Sequence, residues 1–181
     1  MEKVILQYAG NLGRVQGLME FLDCVYGANN DYLNVDFWGT GAMETKMTDF
    51  IESHKLSNTR MCGKFTRSQQ NDVVASCDIC LITLGEGMYG LGVPSKSYNI
   101  MAAGKPILYI GPHHSELDLL IKEHNIGWSF QPSDKEGIVK FLHNVSPSMK
   151  TELKEKGEVA CILANSQFSK EKILQDFFDY L

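Results

Sequence analysis

Three short segments of the sequence combine glycine, hydroxyl and basic residues in an order that suits the binding of a phosphate group. The first is Gly10-Asn11-Leu12-Gly13-Arg14, which follows an apolar run. The two glycines would let the backbone approach a bulky anion, the next helix would point its amino end at that anion, and Arg14 would add charged donors. A strand-to-helix turn that needs glycines only for tightness explains the segment as well, so both interpretations stay open.

The second segment is Val93-Pro94-Ser95-Lys96, at the end of a glycine-rich stretch. Pro94 and Ser95 are residues that commonly start a helix, and the free amides of a first turn can hold phosphate oxygens. Lys96 would then neutralise the negative charge that develops on a leaving phosphate group. A serine cap followed by a solvated lysine is the alternative for this segment taken alone.

The third segment is Gly63-Lys64-Phe65-Thr66-Arg67. Phe65 could lie against a nucleotide base while its backbone bonds the edge of the base, and Lys64 or Arg67 could stack or pair there. A solvent-exposed basic turn is the alternative.

Short apolar runs alternate with longer amphipathic segments along the chain. The runs predict strands at 4–8, 34–38, 59–62, 78–82, 107–110 and 127–130. Helical spacing predicts helices at 14–26, around 43–51, at 68–75, at 95–103, from Ser115, and at 134–143, 148–164 and 169–180. This alternation favours a three-layer α/β/α, doubly wound parallel sheet of the Rossmann-like class. In such a fold a ligand lies beyond the carboxyl ends of the strands, where the strand order reverses, and all three segments follow strands.

Composition narrows the classes of function. The 181 residues suit a single domain, and a net charge of −5 without a run of Lys or Arg argues against nucleic acid as a partner. Five cysteines without a disulfide spacing, and no predicted signal peptide or membrane span, favour a cytoplasmic protein. We expect the thiols of Cys77 and Cys80 to diverge along a strand, which argues against redox or metal chemistry there. We predict no metal at His113-His114, since adjacent residues rarely aim at one ion.

The segment at 93–108 resembles the family 4 glycosyltransferases of the GT-B fold, in particular the polysaccharide, colanic-acid or O-antigen type with its pattern V-P-S-K-x-Y-x-I-x-A-A-G-K-P. Further similar segments come in the family's order between about residues 4 and 145. They are the runs at 8–14 and 37–42, Ile110-Gly111-Pro112 with Ser115-Glu116, and Ile126-Gly127-Trp128.

The resemblance implies transfer of a sugar from a nucleoside-diphosphate sugar, a UDP-sugar in the first instance, to a hydroxyl acceptor in cell-surface polysaccharide synthesis. It implies that Arg14 and Lys96 act at the diphosphate, with no cofactor or metal besides the donor substrate. The predicted donor-binding residues are Gly10, Asn11, Gly13, Gly41, Lys64, Phe65, Ser95, Asn99, Ser115 and Glu116.

Two features depart from the family pattern. Many members carry two glutamates seven residues apart, and the corresponding positions here are Leu91 and Asn99. Asn99 could still bond a ribose hydroxyl, but without charge. The sequence also reads as one donor-binding domain, 1–181, without the acceptor-binding half. We therefore expect the acceptor domain to be supplied in cis or in trans. Any peripheral association with a membrane would occur through that acceptor-binding domain. An apolar helix at 169–180 would pack on its own domain or cross to the other.

Two other functions stay open. The missing glutamate pair is compatible with a non-catalytic subunit or partner protein that binds nucleotide sugars. A phosphosugar epimerase of similar architecture would need a close acid and base, for which His114 and Glu116 are the available pair.

Overall fold

A single parallel sheet forms the centre of the computed structural model, which describes residues 2–85, 87 and 96–168. Its six strands are β1 (Val4–Ala9), β2 (Leu33–Trp38), β3 (Thr59–Gly63), β4 (Ile79–Thr83), β5 (Ile107–Ile110) and β6 (Gly127–Phe130). Their order in the sheet is β3-β2-β1-β4-β5-β6, and every neighbouring pair is parallel. The predicted α/β class is confirmed, and the strand order reverses between β1 and β4.

Within the described residues, seven α-helices connect and cover these strands. They are α1 (Leu18–Ala28), α2 (Glu44–Ser53), α3 (Gln70–Ala75), α4 (Lys96–Ala102), α5 (Glu116–His124), α6 (Lys135–Asn144) and α7 (Lys150–Gln167). The helix predicted from Arg14 begins instead at Leu18, because Gly17 takes a left-handed conformation with φ 64° and separates α1 from a 3-10 turn at Arg14–Gln16. The helix predicted at 169–180 lies outside the described residues.

The two faces of the sheet bury separate apolar clusters. Alternate residues of β1 such as Leu6 pack with Phe21 of α1, Met47 of α2 and Ile138 of α6. On the other face, Ile82 and its neighbours pack with α3, α4, α5 and α7. Full burial of one such side chain contributes about 1.5–3 kcal/mol, so both layers are fixed firmly to the sheet.

The register aligns the carboxyl ends of the central strands. Tyr8 near the end of β1 pairs with Phe37 of β2 on one side and with Leu81 of β4 on the other. The loops after β1, β2 and β4 therefore leave the sheet at one edge, where the three glycine-containing segments were expected to meet.

The cysteine pair differs from the sequence-based expectation. Cys77 and Cys80 do not diverge: their sulfur atoms lie 3.3 Å apart, and both side chains are buried. A bend before β4 turns Cys77 back toward the strand, which the prediction of a straight strand from residue 78 did not anticipate. The hydrogen bond with Cys77, together with burial, raises the pKa of the Cys80 thiol well above its ordinary value.

The helices in the described part of the chain lack the combination of length and apolar character that a bilayer crossing requires.

Candidate functional site

Backbone hydrogen bonds join the loops at the carboxyl edge of the sheet into one rim. The Gly10 amide donates to the Trp38 carbonyl (2.8 Å), and the Leu12 amide donates to the Thr40 carbonyl (3.0 Å). The Gly39 amide in turn donates to the Gly63 carbonyl (2.8 Å). The loops after β1, β2 and β3 are therefore held at fixed positions before any ligand arrives.

Two predicted glycines lie at close approaches in this rim. A methyl group on Gly10 would overlap the side-chain nitrogen of Lys96, and a methyl group on Gly41 would overlap the backbone oxygen of Leu12. Gly10 thus makes room for a cation, whereas Gly41 lets two loops pack together.

Lys96, the first residue of α4, reaches across to the end of β1. Its Nζ lies against Gly10 and 5.0 Å from the centre of the Tyr8 ring. The side chain as a whole is exposed, but partial burial of the ammonium lowers the pKa of Lys96. Tyr8 is itself fixed, since its hydroxyl donates to the Asn11 carbonyl at 2.8 Å. The result is a positioned cation at the point where the strand order reverses.

A cavity of about 380 Å³ opens beside this cation, between the carboxyl edge of the sheet and helices α3 and α4. We call it the α3–α4 cavity. Its polar and aromatic lining consists of Gln7, Phe65, Arg67, Gln70, Lys96 and Asn99. The Phe65 ring is held edge-on against Trp38 at 6.4 Å. The Phe65 ring and the Arg67 guanidinium offer planar surfaces, the Asn99 amide offers hydrogen-bonding groups, and the Lys96 ammonium offers a positive charge.

The structure brings only some of the predicted site residues to this cavity. Gly10, Phe65, Lys96 and Asn99 line it, whereas Asn11, Gly13, Gly41, Lys64, Ser115 and Glu116 do not, and Ser95 lies outside the described residues. Whether those six residues contact a ligand stays a prediction.

Ser115 and Glu116 have structural partners near the carboxyl end of β5. The Ser115 oxygen caps α5 by accepting from the Asp118 amide (3.3 Å), and its hydroxyl donates to the Tyr109 oxygen (3.1 Å). Glu116 accepts from the Tyr98 hydroxyl at 2.9 Å. His114, proposed with Glu116 as an acid and base pair, has its backbone amide bound to Asp118.

Arg14 lies in the wall of a second cavity, of about 450 Å³, between α1 and α6. We call this the α1–α6 cavity. The Gly85 amide donates to the Val15 carbonyl at 2.7 Å, and Gly17 packs against the same glycine. We call this contact the Val15–Gly85 ridge; its residues line the α1–α6 cavity and not the α3–α4 cavity. Arg14, in a 3-10 turn before α1, and Lys96 therefore line two different cavities and not one common cavity. Their joint action at one diphosphate stays a prediction.

Sequence reasoning missed part of the lining. Gln7 is buried within β1, and its side-chain nitrogen donates to the Val73 carbonyl at 2.9 Å, which fixes α3 beside the cavity. A glutamine within an apolar strand was the available signal. Cys80 and Gln70 also line the cavity, but no local pattern marked them.

Two buried polar atoms near the carboxyl edge of the sheet have no hydrogen-bond partner among the described residues. They are the Gln16 Oε1 and the Trp38 Nε1. Buried polar groups are usually bonded. Among the described residues, no group of three His, Cys, Asp or Glu side chains is placed to hold a metal ion.

Comparison with known proteins relates this geometry to a family. The chain is 34% identical over 143 residues to the probable glycosyltransferase WbjE of Pseudomonas aeruginosa, an alignment that covers 79% of this chain and 36% of WbjE. The chain superimposes on HepE of Anabaena in complex with UDP, with a TM-score of 0.80 and 13% identity, over 99% of this chain and 48% of HepE.

The chain has the fold of a GT-B carboxyl-terminal domain and is related to glycosyltransferases. This GT-B domain also superimposes on a Staphylococcus aureus TarM mutant in complex with fondaparinux, α-GlcNAc-glycerol and UDP. The TM-score is 0.78 at 12% identity, over 98% of this chain and 35% of TarM. No protein-family model matches the sequence. The GT-B domain thus spans between about a third and a half of the proteins that it resembles.

Proposed function

We propose that this GT-B domain binds the nucleotide of a nucleoside-diphosphate sugar, most simply a UDP-sugar, in the α3–α4 cavity. The observation that carries the proposal is the convergence of Lys96, the open backbone of Gly10, and the Phe65 and Arg67 side chains at the point where the strand order reverses. The solved structures of HepE and TarM with UDP support UDP as the first nucleotide to test.

The lining suggests how each part of the nucleotide is held. The base would stack on Phe65 or Arg67, and Asn99 would bond the ribose hydroxyls without a charge. The diphosphate would lie beside Lys96, whose ammonium would stabilise the negative charge that grows on the leaving nucleoside diphosphate. Arg14, on the other side of the ridge, is proposed to meet the diphosphate from its sugar end.

The complete reaction that we propose is transfer of the sugar to a hydroxyl acceptor in the synthesis of a cell-surface polysaccharide. Because the chain spans only part of its relatives, the acceptor would be supplied by a further domain, in cis or in trans. No contact in the described residues favours a non-catalytic partner protein or an epimerase over this function.

Calorimetric titration of the chain with UDP, GDP, ADP and CDP tests the proposal. We expect UDP to bind, and Lys96→Ala to weaken that binding by about 1.5–3 kcal/mol, the value of a hydrogen bond to a charged group. Lys154→Ala is the control, because Lys154 is exposed on α7 and pairs only with Glu158 among the described residues. Absence of binding by every nucleotide at millimolar concentration, or equal affinity of the Lys96→Ala variant, would refute the proposal.

A further inference from the structure

The α3–α4 cavity has no acidic side chain in the part of its lining that the structure describes. Its charged groups are the Lys96 ammonium and the Arg67 guanidinium, both of them cations, and its amides belong to Gln7, Gln70 and Asn99. A ribose hydroxyl that donates a hydrogen bond needs an acceptor. The side-chain oxygens that this lining offers as acceptors are therefore neutral amide oxygens and not carboxylates.

Among the described lining residues, two of these amides are available to a ligand. Gln7 is buried, its side-chain nitrogen donates to the Val73 carbonyl at 2.9 Å, and its oxygen lies 3.3 Å from the Ser76 hydroxyl. The side chains of Gln70 and Asn99, in contrast, make no hydrogen bond with another described residue. These two amides can therefore bond a ligand without giving up an existing partner.

Asn99 is the amide that neighbours the cation of the cavity. It follows Lys96 by three residues on α4, so the two side chains lie side by side on one face of the helix. In a nucleoside diphosphate the ribose is attached directly to the diphosphate, so a diphosphate at Lys96 brings the ribose to Asn99. The Asn99 side chain is exposed, so water solvates its amide whenever a ligand hydroxyl is missing.

Loss of one ribose hydroxyl should cost little affinity at such a partner. A neutral hydrogen bond contributes about two- to tenfold in affinity, whereas a bond to a charged group contributes about tenfold to a hundredfold. A carboxylate that had lost its hydroxyl would be left without a partner and would reject the deoxy ligand. Because water replaces the hydroxyl at Asn99, we expect the lower end of the neutral range.

We propose that the α3–α4 cavity tolerates a 2′-deoxyribose, so that its donors include the sugars of 2′-deoxyribonucleoside diphosphates as well as those of ribonucleoside diphosphates. This inference rests on the proposed function, because it takes the cavity to hold the nucleotide. The residue that sets the tolerance is Asn99, through its lack of charge and its contact with water.

Calorimetric titration of the chain with UDP and with dUDP, which differ only in the 2′-hydroxyl, tests this inference. We expect the wild type to bind dUDP within about threefold of UDP. Asn99→Glu should bind dUDP about tenfold or more weakly than UDP, because its carboxylate accepts from the 2′-hydroxyl of UDP and lacks that partner in dUDP. Asn144→Glu is the matched control, since it makes the same change of charge at an exposed position outside the cavity lining, and it should keep the wild-type ratio.

A wild-type preference for UDP of about tenfold or more would overturn the inference while leaving nucleotide binding in place. A fall of that preference in Glu86→Gln would then identify the carboxylate responsible, since Glu86 lies outside the described residues. An unchanged ratio in Asn99→Glu, with UDP still bound, would also overturn it, because position 99 would then not face the ribose. Failure of both nucleotides to bind would instead refute the proposed function, and the inference with it.

Discussion

Gly10 and Lys96 are far apart in the sequence but lie in contact at the end of β1. Lys96 occupies the space where any side chain on Gly10 would lie, and its ammonium lies 5.0 Å from the centre of the Tyr8 ring. The atoms that a methyl group on Gly10 would meet first belong to the flexible end of Lys96, so that end would move; the φ of 156° at Gly10 would add backbone strain to an alanine there.

The variant Gly10→Ala should therefore lose affinity for UDP by displacing Lys96. We expect a loss close to that of Lys96→Ala, and little further loss when the two changes are combined, because both remove the same contact. Calorimetric titration of the two single variants and the double variant measures this coupling.

Gly27→Ala is the matched control for that change. Gly27 lies within α1, where a methyl group would meet only Val139 at 3.5 Å, an ordinary contact. Alanine in the interior of a helix is favoured over glycine by roughly 0.5–1 kcal/mol. The control should thus keep its UDP affinity and unfold at a slightly higher temperature, and additive effects in the Gly10 and Lys96 double variant would contradict the account.

Individual residues were predicted unevenly. Lys96, Gly10, Phe65 and Asn99 could be found because short motifs after strands mark the ligand edge of this fold. Gly41 was predicted to bind the donor, but in the structure it packs against the Leu12 backbone and does not line the cavity. Ser115 bonds to Tyr109 and Glu116 bonds to Tyr98. No local sequence pattern indicates these partners.

Among the elements, the β5–α5 connection is held by one buried carboxylate. Asp118 accepts hydrogen bonds from the His114 amide (2.9 Å), Lys122 (2.9 Å) and the Ser129 hydroxyl (2.5 Å). Burial alone would raise the pKa of Asp118, but the bonds from Lys122, Ser129 and the His114 amide outweigh it and lower the pKa.

Asp118→Asn should destabilise the chain at neutral pH by about 1.5–3 kcal/mol, because bonds to a charged group are lost. A lowered carboxyl pKa contributes stability above the unfolded value, and that contribution disappears as the pH falls through the lower folded value. The variant should therefore lose less stability than the wild type as the pH falls below about 4, the ordinary value of an aspartate. Urea unfolding across this pH range measures the difference.

Glu123→Gln is the control for this change, since Glu123 is exposed and its one partner among the described residues is His124 at 3.9 Å. Parallel pH profiles for Asp118→Asn and the wild type would contradict the assigned role of the carboxylate.

The elements themselves were largely predictable. Apolar runs placed all six strands to within one or two residues, because strands buried on both faces need continuous apolar sequence. The start of α1 was predicted wrongly, because the conformation of Gly17 depends on its packing against Gly85 and not on local propensity. The prediction that the Cys77 and Cys80 thiols diverge was wrong for a similar reason, since the bend before β4 is a tertiary feature.

At the scale of the whole molecule, helices α1 and α6 border one cavity and helices α3 and α4 border another. A parallel, doubly wound sheet was predicted from the alternation of strands and helices, but the position of the reversal between β1 and β4 was not. The Val15–Gly85 ridge was not predicted either, because it is a hydrogen bond between two loops that are distant in the sequence. Arg14 lines the first of these cavities and Lys96 lines the second.

Assignment of the nucleotide to the α3–α4 cavity is tested most directly by a titration of the ¹⁵N-labelled chain with UDP, followed by amide chemical shifts. The account predicts saturable shifts concentrated at Gly10, Phe65, Arg67, Lys96 and Asn99, with the amides of α6 and of the opposite edge of the sheet unchanged. Saturable shifts that centre instead on Glu20, Ser133 and Lys135, with those five amides unmoved, would place the nucleotide on the wrong side of the ridge and contradict the account.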